Sequence, residues 1–341
     1  MRASCVLLLG SMVACLTGTP SPVSAQTYQS HIEHPIVQYK MSATLDPATK
    51  TVNGHYILTW WNHTDDTIPD VYFHLYLNAF KNLDSTFMRQ DSFDRRHDAL
   101  SNWPAIPGKE KWGWEEIDRI QIVNGPDLTP LITYAHPDEN NVDDQTVVRI
   151  LLPKPIPPKG TIELSVDFTS KLPRALARTG YDGNYFLVAQ WFPKIGVYEG
   201  PGEHGRTTGG WNCHQFHRYT EFYADYGIYD VDLTVPSNYT VGATGYQRSG
   251  QKNSNGTSTS NFYQQDVHDF AWTASPNFIK ITRTFDWGKE VRGDEVTKWG
   301  KILGLPAADM ALRNVSVTLL LQPSHRNLVD RYFRAIFNGL K

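Results

Sequence analysis

Apolar and polar residues alternate along much of this chain with a period of two. Tyr39, Met41, Ala43 and Leu45 are interleaved with Lys40, Ser42 and Thr44, and Asp46-Pro47 ends the run. Beyond Ala48-Thr49-Lys50 the alternation resumes through Val52, Tyr56, Leu58 and Trp60. Successive strand side chains point to opposite faces, so two such runs across a short turn predict a hairpin with one buried face. Residues 71–77 (VYFHLYL) predict another strand, as do 147–152, 162–168 and 229–235. Pro153, Pro155, Pro157, Pro158 and Gly160 predict a turn after residue 152, and Pro236 stops the 229–235 run. Strands at this density predict a mainly β protein, a large antiparallel saddle-like sandwich over residues 26–283.

Two stretches depart from the pattern. Residues 85–114 are polar, aromatic and irregular, which predicts an excursion over the sheet; residues 248–260 (RSGQKNSNGTSTS) predict a flexible hairpin tip. No internal repeat is visible. After a connecting segment at 284–314, Val315–Leu321 predicts an apolar strand, and Ser324 is placed to cap a following helix. Leu328, Val329, Tyr332, Phe333, Ile336 and Leu340 fall at helical spacing on that helix. So wide an apolar face needs more partner surface than the chain supplies. Residues 315–341 are therefore expected to be the first strand and helix of a truncated α/β domain.

The start of the chain changes the picture of where the protein works. Arg2, an apolar run from Cys5 to Leu16, and Val23-Ser24-Ala25 before Gln26 have the layout of a cleaved secretory signal, residues 1–25. About a dozen apolar residues fall short of the roughly 20 that span a bilayer, so no membrane span is expected. The expectation is secretion or a periplasmic location; a lipoprotein through Cys15 is the minority alternative. Of the three cysteines, Cys213 alone would remain, which excludes an internal disulfide. With 32 basic against 35 acidic residues and no basic stripe, there is no electrostatic footprint for nucleic acid.

The candidate chemistry is sparse. No two of the twelve histidines lie four residues apart, so the HExxH zinc-hydrolase motif is absent, as are a G-x-S-x-G elbow, a phosphate loop and a dinucleotide fingerprint. Cys213, His214 and His217 in GWNCHQFH give three local metal donors, one short of a structural zinc site, and His31-Ile32-Glu33-His34 is a looser cluster. A packed aromatic turn is the blander and favoured explanation of both. Glu115 with Glu116, or Glu199 with Glu203, could in principle serve as the paired carboxylates of a glycosidase. Ten Trp and seventeen Tyr would suit carbohydrate stacking, or simply a β core.

One resemblance decides more than these motifs. Gln190-Trp191-Phe192-Pro193-Lys194 through GWNCHQFHRYTEFYADYGIYDVDLTVPSNYTVGATG (210–245) resembles the N-terminal domain of the alanyl aminopeptidase family of zinc metallopeptidases. TLDPATKTVNGHYILTWWNHTDDTIPDVYFHLYLNAF (44–80) is similar to that domain's first strands, and FAWTASPNF (270–278) to its closing pair. The resemblance implies a saddle-shaped β domain followed by a thermolysin-like catalytic domain, of which 315–341 would be the start. It implies zinc and peptide-bond hydrolysis in a full-length member, but the zinc and base residues have no counterpart here, so no cofactor and no catalytic residue is expected in this chain. Peptide substrate is expected only together with the missing catalytic domain. In the family the β domain lends a Gln or Glu that helps hold the substrate's free amine, which implies Gln190, with Glu221 second. A non-catalytic secreted β module binding carbohydrate or protein is the alternative.

Overall fold

The computed structural model describes residues 35–90, 111–175, 177–310 and 313–341. The signal segment at 1–25, the His31–His34 cluster and most of the 85–114 stretch lie outside the described residues.

The opening hairpin forms as its alternation predicts. Strands Val37–Asp46 and Thr51–Trp61 pair antiparallel, Val37 opposite Trp60 and Asp46 opposite Thr51. Asp46 Oδ1 accepts from the Ala48 amide at 2.8 Å, and Lys50 takes a positive φ of 61°, which together turn the chain. Thr161–Lys171 adds beyond the hairpin, with Gly54 opposite Phe168. A Cβ on Gly54 would stand 2.2 Å from Phe168 Cζ, so glycine leaves room for the ring to lie over the strand.

This hairpin sits inside a seven-stranded sheet. The order is Tyr246–Lys252, Thr257–Val267, Gly227–Pro236, Val37–Asp46, Thr51–Trp61, Thr161–Lys171, Trp114–Ile122. Its pairs are antiparallel except one: Val37–Asp46 runs parallel to Gly227–Pro236, Tyr39 opposite Tyr229. A second sheet has the order Lys194–Ile195, Ile68–His74, Val147–Ile156, Ile132–Tyr134. A third joins Thr240–Ala243, Trp272–Ser275, Tyr185–Val188 and Gly180–Asp182. The architecture is mainly β, built from several largely antiparallel sheets. One continuous core draws on all three: Tyr39 stacks on Tyr229 at 5.1 Å and meets Phe192 edge-on at 5.2 Å, and Trp191 meets Trp272 edge-on at 5.8 Å. Nine of the Trp and Tyr residues that suited carbohydrate stacking are thus core, Trp60, Trp191, Tyr39 and Tyr229 among them.

Several expectations are corrected. The strand expected at 71–77 is Ile68–His74, and Tyr76–Phe80 is a 3-10 turn, all five residues buried. An apolar run with both faces buried carries no period to tell the two apart. The strand expected to end at 152 continues to Ile156 through Pro153 and Pro155. Trp114, placed in the irregular stretch, opens the strand Trp114–Ile122, and Ser85 caps a single helical turn, Thr86–Arg89. The 248–260 tip is mostly two regular strands joined through a turn at Gly256, φ 80°.

The last segment also forms a strand and a helix. Val315–Leu321 pairs antiparallel with Ile279–Phe285, Phe285 opposite Val315. Ser324 does not cap the helix: residues Pro323–Leu328 form a 3-10 stretch, and the α-helix is Val329–Leu340. Phe333 is buried, whereas Trp299, Ile302, Leu303 and Leu305 between strand and strand stay exposed, as does Ile336 on the helix. Among the described residues, no helix is long and apolar enough to cross a membrane.

Candidate functional site

The segment that carries the resemblance is clamped into the core by its backbone and by one indole. The Trp191 indole N–H donates to the Phe270 carbonyl (2.9 Å), and the Trp191 carbonyl accepts from Ser170 (2.7 Å). The Tyr56 hydroxyl donates to the Pro193 carbonyl (2.6 Å), and the Ile195 amide donates to the Tyr39 hydroxyl (3.1 Å). Gln190, at φ 54° and 4% exposed, sits at the entrance to this turn. Its amide nitrogen donates to the Asp269 carboxylate, while its oxygen accepts from Lys194 Nζ at 2.9 Å. Lys194 Nζ also lies 2.7 Å from Asp269 Oδ1. An ammonium held by an amide oxygen and a carboxylate is the chemistry the resemblance implied for Gln190, but the ammonium here belongs to Lys194. Burial lowers the Lys194 pKa, against the pull of Asp269 and Glu115. Glu115, 2% exposed, is pushed well above the usual carboxylate range by the same burial.

Beside this buried pair lies a cleft of about 480 Å³ whose walls include His74, Tyr76, Asp138, Phe216, Glu221 and Tyr223. Its position follows from the sheets: His74 ends the Ile68–His74 strand, paired with Val147 on one side and Lys194 on the other. The His74 ring stacks on Tyr76 at 4.5 Å and 9°. Burial first, then Lys194 and His214, hold the His74 pKa down at about 3, so the imidazole is neutral. On the opposite wall Asp138 gathers two histidines, through His214 Nδ1 and through His217 Nε2 at 2.8 Å. Glu221 stands exposed on the rim, bridged to Arg178 at 2.5 Å, and that guanidinium lowers its pKa. Of the two residues nominated to hold a substrate amine, Glu221 therefore faces a cleft and Gln190 is inside the core.

Tyr223 links the cleft to a second polar knot. Its hydroxyl donates to Glu199 Oε1 at 2.9 Å, and Glu199 also accepts from Asn212 at 2.9 Å and from Arg206 and His204. Burial works to raise the Glu199 pKa, yet these bonds hold it at about 2. Glu203 turns instead to His63, 3.1 Å away. Asp225 is half-buried close to both acids; desolvation, then Glu203 and Glu199, raise it to about 7. Neither glycosidase pair forms as nominated: Glu115 is buried and Glu116 exposed on opposite faces of one strand, while Glu199 bonds Arg206 and Glu203 bonds His63.

The Cys213 cluster does not converge. The thiol is buried against Gly196, 3.0 Å from where that residue's Cβ would stand, and burial raises its pKa well above the ordinary value. His214 and His217 are both turned to Asp138. Among the described residues no group of three or more His, Cys, Asp and Glu is arranged to hold a metal, so they do not fit the zinc of the resembled family. The residues missed in the sequence are His74, Asp138, Lys194, Asp269 and Tyr223. His74 carried a readable signal, a lone ionisable residue inside the apolar VYFHLYL run; Asp138 and Asp269 carried none.

No family model and no curated protein matches this chain. Solved structures do. An M1 zinc metallopeptidase from Deinococcus radiodurans is similar at 15% identity and a TM-score of 0.38, over 73% of this chain and 44% of that one. A two-domain M1 zinc metallopeptidase variant bound to L-arginine is similar at 15% identity and a TM-score of 0.39, with the same coverage. The chain thus spans less than half the length of the structures it resembles.

Proposed function

We propose that this chain is the β portion, with the first strand and helix of the following catalytic domain, of an exported zinc aminopeptidase-like hydrolase. The observation that carries the reading is that the block bearing the resemblance is the block on which the core is built. Trp191 and Phe192 are essentially fully buried, and four hydrogen bonds fix the turn they occupy. The exposed apolar surface at Trp299, Ile302, Leu303 and Leu305 also supports it, as a face suited to further protein. In this reading Glu221 is the residue of this chain within reach of a substrate amine, and Gln190 positions the turn behind it. Zinc and the general base belong to residues this sequence does not contain.

The test is to assay a polypeptide extended past Lys341 against a panel of aminoacyl-naphthylamides. Chelator-sensitive release of the N-terminal residue, weakened mainly in KM by Glu221→Ala, supports the reading. An extended polypeptide with no HExxH helix and no turnover overturns it, and favours a non-catalytic binding module.

A further inference from the structure

Four Asn-Gly pairs occur in the chain, at Asn53-Gly54, Asn124-Gly125, Asn255-Gly256 and Asn338-Gly339. A glycine carries no side chain to hinder its backbone nitrogen, so in each pair that nitrogen can attack the preceding asparagine's Cγ and close a five-membered ring. The attack needs a glycine amide that is free to move, and the structure withdraws it at three of the four. Gly54 lies within Thr51–Trp61, a strand paired along both edges, so its amide is held in the ladder. The Gly125 amide donates to the Ile122 carbonyl at 2.7 Å. Gly339 is inside the helix Val329–Leu340, where amides bond to carbonyls four residues back.

Asn255-Gly256 differs in each respect. It is exposed in the turn between Tyr246–Lys252 and Thr257–Val267, and the Gly256 amide has no hydrogen-bond partner among the described residues. A Cβ on Gly256 would meet nothing within 4 Å, so the turn is uncrowded. Asn255 Oδ1 meanwhile accepts from the Thr257 hydroxyl at 2.7 Å and from the Thr257 amide at 3.2 Å. Both donors sit on the oxygen where negative charge develops as a nucleophile adds to Cγ. We propose that Asn255 is a self-modifying site, at which the chain converts its own side-chain amide to an acid with Thr257 stabilising the charge. Gly256 N gives its proton to hydroxide and bonds to Asn255 Cγ. The Cγ–Nδ2 bond then breaks, and ammonia leaves carrying a proton returned by the solvent. Water opens the resulting succinimide at either carbonyl, leaving aspartate or isoaspartate at position 255. Isoaspartate adds one backbone carbon to the turn in which the Ser237 amide bonds the Gly256 carbonyl at 2.9 Å. The reaction needs neither zinc nor a further domain, so it stands or falls separately from the peptidase reading.

The experiment is peptide mapping by mass spectrometry of the full chain, incubated at mildly alkaline pH both native and unfolded in urea. Amide-to-acid conversion is read separately in the peptides that contain each of the four pairs. In urea all four should convert at similar rates. In the native chain Asn255 should convert while Asn53, Asn124 and Asn338 lag by about tenfold or more, since each of those must first open locally. Thr257→Val keeps the branched shape and removes the hydroxyl donor. It should slow native conversion at Asn255 by about fivefold, the weight of one hydrogen bond, and leave the rate in urea unchanged. A native Asn255 that stays intact while the unfolded chain converts, or another pair that converts faster in the native chain, would overturn the proposal. Undiminished native conversion in Thr257→Val would overturn it equally.

Discussion

Lys194 Nζ lies 2.7 Å from Asp269 Oδ1, with only 2% of the lysine side chain and 16% of the aspartate side chain exposed. The two come from distant parts of the sequence, and the Gln190 amide bonds both of them. A charge so placed is tolerable only while its partner is present, because an unpaired buried ion keeps its desolvation cost with nothing to offset it. Lys194→Met should therefore lower unfolding stability by about 3–5 kcal/mol, and Lys194→Met with Asp269→Leu should recover most of that loss. Urea unfolding midpoints of the parent, single and double variants measure it. A single variant as stable as the parent would show that the pair contributes nothing.

Two groups should give opposite pH dependences. His74 has an ordinary pKa of 6.5 and is held at about 3 when folded, so between those values the unfolded chain binds a proton that the native chain refuses. Stability should fall as pH drops from 6.5 towards 3, by up to about 1.4 kcal/mol per pH unit from this group. His74→Phe should flatten that slope. Asp225 is the reverse: its carboxyl, ordinarily at 3.8, is raised to about 7, so the native chain holds a proton the unfolded chain has lost. Stability should fall as pH rises from 3.8 through 7. Asp225→Asn should be more stable than the parent at pH 8, on the order of 2 kcal/mol, and nearly equal at pH 4. Denaturant unfolding at pH 4, 6 and 8 separates the two.

Cys213 should resist thiol reagents in the native chain and react only on unfolding, since its thiol is buried and its pKa raised. Gly196→Ala should cost about 1–3 kcal/mol, because the added Cβ would lie 2.8 Å from Cys213 Cβ and force that packing apart. Thiol labelling kinetics of parent and variant test both: faster labelling of Gly196→Ala is expected, and rapid labelling of the parent would contradict the burial.

What could be read from the sequence was set by whether a feature is local. Tyr39, Met41, Ala43 and Leu45 announced their strand, since alternation is written into consecutive residues and each of them is buried in turn. The parallel pairing of that strand with Gly227–Pro236 was not legible, because alternation fixes which face is buried and says nothing about which strand lies alongside. The Tyr246–Lys252 strand is exposed along its whole length at a sheet edge, so its composition read as a loop although backbone bonding makes it a strand. The site divides the same way. Cys213, His214 and His217 were visible as neighbours, but Asp138, which turns both histidines away from the thiol, joins them only through the fold. Gln190 was found by resemblance, while Lys194, four residues on, was quoted in the same motif without its role as the bound ammonium.

Glu199 accepts bonds from four side chains while 3% exposed, so its charge organises the region behind the cleft. Glu199→Gln should destabilise the chain by about 3 kcal/mol, as loss of a buried carboxylate leaves Arg206 without its partner. Thermal unfolding reports the size of the effect, and a change within error would contradict the role given to this residue.

The reading proposed above, that this polypeptide is the β portion of an aminopeptidase-like hydrolase, implies that it does not break a peptide bond by itself. Water made acidic by zinc and a carboxylate base set beside it are what that hydrolysis requires, and no two histidines here have the i, i+4 spacing that would build such a site on a helix. The most direct measurement is turnover of aminoacyl-naphthylamides by the purified 341-residue chain with added zinc. The expected result is a rate equal to the protein-free blank at every zinc concentration. Turnover above the blank that a chelator abolishes would contradict the claim.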